Sequence, residues 1–207
     1  MPYIPKGYTD IAAIEDYLLI DIEEDFESRV EEWIAMMEKF VDKKTGRNFI
    51  SDAVASVRKY EVEKEQSQTV GEYTKTMKEL FIDDCVEVTE LKIDDVVVSV
   101  DDYLFYPAGE LPISRIKIKD DVGEYFTIGE QNIEVKAKWG YSVECPSDIS
   151  FATTIFVAGI INFSGDMEGE VKSESIGTYA VTFKDAKDWQ DFERAKEILQ
   201  QYRRINI

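Results

Sequence analysis

Histidine is absent from the 207 residues. With it go the Ser-His-Asp and Cys-His nucleophile arrangements, the HExxH metal helix and the usual proton shuttle at neutral pH. Cysteine is nearly absent: Cys85 and Cys145 stand far apart with no CxxC spacing, and read as reduced packing residues, not a zinc or redox site. The 11 glycines form neither GxGxxG nor GxxxxGKS/T, and no serine sits in a GxSxG elbow, so nucleotide binding and hydrolase chemistry have no sequence support. No run approaches the ~18 apolar residues of a membrane span. The opening MPYIPKGYTD has no apolar signal core, so a protein that is cytosolic or made in a cytosol, with no membrane partner, is expected. Basic residues are few, 24 against 43 acidic ones for a net charge of −19. That balance opposes tight sequence-independent binding of DNA or RNA, which depends on Lys and Arg displacing phosphate counterions. A surface that repels phosphate is nonetheless what a conduit for DNA requires.

The chain has an ordinary globular composition, 44% hydrophobic and 32% charged, and a length that suits one large domain or two small ones. Residues 9–20, TDIAAIEDYLLI, read as a short helix with Thr9 or Asp10 as cap and Ile11, Ile14, Tyr17 and Leu18 on one face. A second helix follows, with Asp21 or Asp25 as cap. Its apolar seam is Phe26, Val30, Trp33, Met37 and Phe40, widened by Ile34 and Val41, and Glu31, Glu32 and Glu38 fall on the wet side. Lys39, Lys43 and Lys44 suit the negative end of the helix dipole before a Gly46 stop.

Beyond that stop the period changes from about 3.6 to 2. Short runs recur, SVRKYEV, KELFIDDCVEV, ELKIDDVVVSV, DDYLFYP, SRIKIKD and NIEVKAKWGY, separated by Asp, Gly and Pro. The clearest alternation sets Ile133, Val135, Ala137 and Trp139 inward against Glu134, Lys136 and Lys138 outward. Strands this short and regular favour antiparallel hairpins. Pro146 and Ser147 or Asp148 then open a helix that is apolar nearly all round, buried on several sides by its own fold or by a partner subunit. The stretch EGEVKSESIGTYAVTF, residues 168–183, is polar in its first half and alternates like a strand in its second. The chain closes on a helix with Trp189, Phe192, Ala195, Ile198, Leu199 and Tyr202 on one face and Arg203 and Arg204 at its end. The predicted class is α+β, a small helical bundle from both chain ends with an inserted antiparallel β module. The expected division is 1–48 and 146–207 for the helical core, 49–145 for the β-rich insertion, and 164–187 for an extended arm or hairpin.

Four acidic doublets, Asp83–Asp84, Asp94–Asp95, Asp101–Asp102 and Asp120–Asp121, invite a metal reading, since two-metal nucleases use clustered carboxylates. Each doublet falls at a predicted strand end, where Asp is favoured by its own turn hydrogen bonds, and that explanation is preferred. No catalytic residue, metal or cofactor is assigned. Lys172 and Ser173 read as a solvated pair and not a catalytic one. Aromatics make up 12% of the chain, more than a core alone needs, and without a reaction centre interfaces are their expected use.

Several strings resemble, in order, the head-to-tail connector or adaptor proteins of long-tailed bacteriophages. They are VKAKWGYS, then Pro146, Asp148, Ile149 and Ala152, then VAGIIN, VKSESIGTYAVTF and ILQQYRRI. The likeness extends to YTDIAAIEDYLLI, FESRVEEWIAMMEKFVDKKTGR and DDYLFYPA in the amino half. The resemblance implies a virion structural protein with no enzymatic activity, a twelve-membered ring beneath the portal that extends the DNA channel toward a head-completion, stopper or tail protein. It also implies docking contacts at Val171, Lys172, Ser173, Glu174, Ser175, Ile176, Gly177 and Tyr179 of the arm and at Trp189, Phe192, Tyr202, Arg203 and Arg204 of the last helix. Acidic side chains of the second helix would face DNA that passes without specific binding. The arm is expected either to stay mobile until neighbours arrive and then add an edge strand, or to be one half of a hairpin folded on its own domain. A tail-completion or stopper-type protein is the nearer alternative, and a Mg²⁺-dependent nuclease the distant one.

Overall fold

A computed structural model describes the backbone of residues 5–62, 69–70, 73–74, 78–164, 172–176, 179–183 and 186–204, and side chains over 5–62, 78–162 and 190–204. The fold is α+β, as the two sequence periods require: among the described residues there are four α-helices and a six-stranded antiparallel sheet. The chain divides into two compact units, one of residues 1–50 with 145–207 and one of residues 51–144.

In the first unit, α1 (Ile11–Leu18) begins where the Asp10 carboxylate accepts the Ala13 N–H at 2.8 Å. Helix α2 (Glu24–Thr45) starts differently from expectation. Neither Asp21 nor Asp25 caps it; Glu23 stands at the cap without a side-chain bond, and Glu24, Asp25 and Glu27 in the first turn meet the positive end of the dipole instead. It stops at Gly46, whose φ of 69° favours glycine and whose N–H reaches the Asp42 carbonyl at 2.8 Å. Val30, Ile34, Met37 and Val41 are buried, while Phe26 and Trp33 meet edge to face at 5.5 Å.

Helix α3 (Ser147–Ser164) is apolar all round because α1, α2 and α4 (Ala186–Gln201) of the same chain pack against it. That resolves the choice between core and subunit contact for its buried residues. Phe156 is the hub, edge-on to Phe40 at 5.8 Å and to Phe192 at 5.5 Å. The two threonines of this buried stretch satisfy their hydroxyls locally: Thr153 donates to the Ile149 carbonyl and Thr154 pairs with Thr9 at 2.6 Å.

The second unit holds β1 (Ser56–Val62), the short pair β2 (Thr69–Val70) and β3 (Tyr73–Thr74), then β4 (Glu79–Ile93), β5 (Val96–Val97), β6 (Tyr103–Tyr106), β7 (Ile113–Ile118) and β8 (Gly129–Trp139). The sheet order is β1-β8-β4-β7-β6, with β5 against β4. The expected strands KELFIDDCVEV and ELKIDDVVVSV are in fact largely one, β4. Asp83–Asp84 therefore lies inside a strand and not at its end. A register shift between Phe81 and Cys85 accommodates the doublet, turning Asp83 toward Arg58 at 2.7 Å and the Tyr60 hydroxyl at 3.1 Å. The other doublets lie outside the strands: Asp94 and Asp95, with φ of 51° and 65°, form the two-residue connection from β4 to β5, Asp101 and Asp102 sit in a short 3-10 helix before β6, and Asp120 and Asp121 form a turn after β7.

One face of the sheet carries Leu91, Ile93, Ile116, Ile118, Ile133, Val135, Ala137 and Trp139 into a single apolar cluster. The other face carries ion pairs, Lys59–Glu134 at 2.9 Å and Lys138–Glu87 at 2.7 Å. Exposed pairs contribute little, so burial on the first face is what holds the sheet. Trp139 anchors it, 1% exposed, its indole N–H donating to the Ser56 carbonyl at 2.9 Å. Trp139→Ala is expected to cost about 3–5 kcal/mol, read from urea unfolding by circular dichroism.

Candidate assembly surfaces

Strands β9 (Lys172–Ile176) and β10 (Tyr179–Phe183) form an antiparallel hairpin with Tyr179 opposite Ile176 and Phe183 opposite Lys172. Strand β10 lies against α3, and among the described residues β9 pairs with β10 alone, so its second edge carries no strand. Lys172, Ser173, Glu174, Ser175, Ile176 and Tyr179 are thus brought together on one hairpin, while Val171 and Gly177 lie outside the described residues. In the last helix, Trp189 is placed in α4 with its side chain outside the described set. Phe192 packs inside, 1% exposed, and Tyr202 donates its hydroxyl to the Asp148 carboxylate at 3.0 Å. Arg203 is exposed, and the Arg204 N–H reaches the Thr45 carbonyl at 2.7 Å. Of the last-helix residues with described side chains, Arg203 is exposed, Arg204 is half-buried and Phe192 is committed to the core.

Sequence reasoning placed Glu38 on the wet side of α2, and the structure buries it completely. Its two carboxylate oxygens accept the backbone N–H groups of Lys6 at 2.6 Å, Gly7 at 2.8 Å and Tyr8 at 2.8 Å. One turn on, Asp42 takes the Lys6 ammonium at 2.7 Å and the Tyr8 hydroxyl, which in turn accepts the Phe49 N–H at 2.8 Å. Tyr8, Phe49 and Tyr202 stack edge to face beside this cradle, at 5.8 and 5.4 Å. The signal was present in the spacing: Glu38 sits four residues after Ile34 and three before Val41, within the buried stripe and not opposite it.

No protein-family model and no curated protein matches the chain. Solved structures do. A chain of the virion of a native gene transfer agent particle aligns over 99% of this chain and 93% of its own length, with a TM-score of 0.56 and 13% identity. A chain from the neck of an empty gene transfer agent particle, computed with C6 symmetry, aligns over the same shares with a TM-score of 0.55 and 14% identity. The fold is shared. It extends across both units, β unit included.

Burial pushes the Cys85 thiol up to about 12, with the Asp84 charge adding to it. Burial does the same to Cys145, pushed up to about 12 with Glu38 adding, so both thiols stay protonated near neutrality and are poor nucleophiles. Among the described residues no three carboxylates or thiols gather as a metal site, and no helix is long and apolar enough to cross a membrane. Hydrogen bonds from the Thr127 hydroxyl at 2.6 Å and the Asn132 amide at 2.9 Å hold the Asp94 carboxyl below the usual carboxylate range. A depressed acid stabilises the fold above its unfolded value and loses that contribution as pH falls through the folded one. Thr127→Val is expected to return the Asp94 midpoint toward the ordinary carboxylate value, measured by carboxyl-carbon NMR titration.

Proposed function

We propose that this chain is a structural protein of the neck of a phage-type particle, a head-to-tail adaptor that forms a ring beneath the portal and extends the channel the genome passes through. The observation that carries the reading is the fold shared along nearly the whole chain with a neck chain. A twelve-membered ring is compatible with the C6 symmetry of that neighbour, as is a six-membered one.

Three features fit the role. The outer side of α2 presents exposed Glu24, Glu27, Glu31 and Glu32, a surface that DNA slides past without binding. The β9 edge offers backbone groups for strand addition by a neighbouring copy. Arg203, exposed after α4, suits an acidic site on the portal or a tail-side protein. The adaptor carries out no reaction; its function is fit between rings.

The test is the mass of the purified protein by light scattering, alone and mixed with the portal protein of the same genome. A ring, or a portal-dependent shift to a large complex, is the expected result. A monomer in both mixtures would remove the adaptor reading and leave a tail-side structural role.

A further inference from the structure

We propose that the groove beside β5 is a docking site for a basic, apolar segment of a different protein. This proposal is independent of the neck reading. The groove, about 280 Å³, is walled by Ile93, Val96 and Val98 on one side and by Gly123, Tyr125 and Thr127 on the other. Its floor is buried, with Ile93 and Val98 less than a tenth exposed, but its lips face water: Val96 is 64% and Tyr125 41% exposed. Val97, Val100 and Ile128 of the same two segments are exposed as well. Strand β5 is too short to need these valines for pairing, since its two residues meet only Lys92 and Ile93. Contiguous exposed aliphatics of this kind mark interaction surfaces.

The walls are already built. The Asp94 carboxylate crosses from one to the other through Thr127 and Asn132, and the Val98 N–H is tied to the Leu91 carbonyl at 2.9 Å. On the far side the Lys78 ammonium donates to the carbonyls of Lys119, Val122 and Glu124, fixing that loop. A partner therefore meets a preformed groove and need not order it.

Charge selects the occupant. Exposed Asp94, Asp95 and Asp101 belong to the first wall's segment, and exposed Asp120, Asp121 and Glu124 to the second's. Lys78 is engaged by backbone carbonyls, and Lys117 answers Asp120 alone, at 3.2 Å, so the two segments keep an acidic excess. An apolar floor with Glu124 in its lining and Asp94 bonded to Thr127 of its wall favours an aliphatic side chain flanked by Lys or Arg. With 24 basic against 43 acidic residues this chain is a poor source of such a segment, and the occupant is a more basic polypeptide.

The experiment titrates the isotope-labelled full chain with a synthetic peptide of alternating lysine and isoleucine, with a lysine–serine peptide as control, at low and near-physiological salt. The expected result is amide shifts confined to 93–98 and 123–128, affinity that weakens as salt rises, and no localised shift from the control. Val96→Ser and Glu124→Gln, both at exposed positions, should each weaken binding about tenfold while the rest of the spectrum stays unchanged. Shifts spread over the acidic side of α2, or equal response to the control, would overturn the proposal. So would broadening of the same resonances with protein concentration alone, which would make a second copy the occupant.

Discussion

Glu38→Ala is expected to destabilise the helical unit by about 3–5 kcal/mol, more than any other single change outside the apolar cores. The carboxylate is fully buried and accepts three consecutive N–H groups, those of Lys6, Gly7 and Tyr8. Hydrogen bonds to an ionised acceptor contribute about 1.5–3 kcal/mol each, and a buried donor left unmade costs about 1–3 kcal/mol. The sum is bounded because the freed segment can turn its N–H groups to water. Glu38→Gln separates charge from shape: it keeps one acceptor oxygen, sets an amide donor against the remaining N–H, and should cost about 1–3 kcal/mol. Release of residues 6–8 would also slacken the Tyr8 hydroxyl between Asp42 and the Phe49 N–H. Urea unfolding gives the free energies, and amide exchange at Gly7 and Tyr8 shows whether the segment is released before the unit unfolds. A loss below about 0.5 kcal/mol, the ordinary size of a surface change, would mean that other contacts hold the segment.

Glu38 also shows what periodicity reads and what it misses. The α2 seam was legible because Val30, Ile34, Met37 and Val41 repeat on one side, yet a carboxylate inside that stripe looked like solvent decoration. Its partners are backbone donors some thirty residues away, which no side-chain pattern encodes. The alternation from Ile133 to Trp139 held because one face packs into the apolar cluster and the other carries ion pairs such as Lys59–Glu134. The Asp83–Asp84 doublet was misread as a turn because Asp is at home in turns; a bulge and an ion pair with Arg58 of β1 let the chain run through it. At the candidate surfaces the hairpin residues could be named from their polarity and alternation. What they dock against is a relation between chains, outside the reach of one chain's pattern.

Strand β9 turns that relation into a measurement. Successive N–H groups of an antiparallel strand point to opposite edges, so of Ser173 and Glu174 one donates toward β10 and the other toward the open edge. Proline at either position deletes its donor and sets a ring where the adjoining backbone must approach, a cost of about 3 kcal/mol in a paired strand. Of Ser173→Pro and Glu174→Pro, one therefore breaks the hairpin and lowers the stability of the free protein. The other leaves the free protein's unfolding curve and circular dichroism unchanged. If neighbouring copies add a strand to β9, that second variant should assemble about a hundredfold more weakly, since 1.4 kcal/mol is a factor of ten. Ultracentrifugation in the presence of the portal protein reads the assembly, and amide exchange over 172–176 should slow on ring formation in the wild-type chain and stay fast in the variant. If both variants assemble as the wild type does, the ring is closed by other surfaces, and the exposed Arg203 after α4 becomes the next place to look.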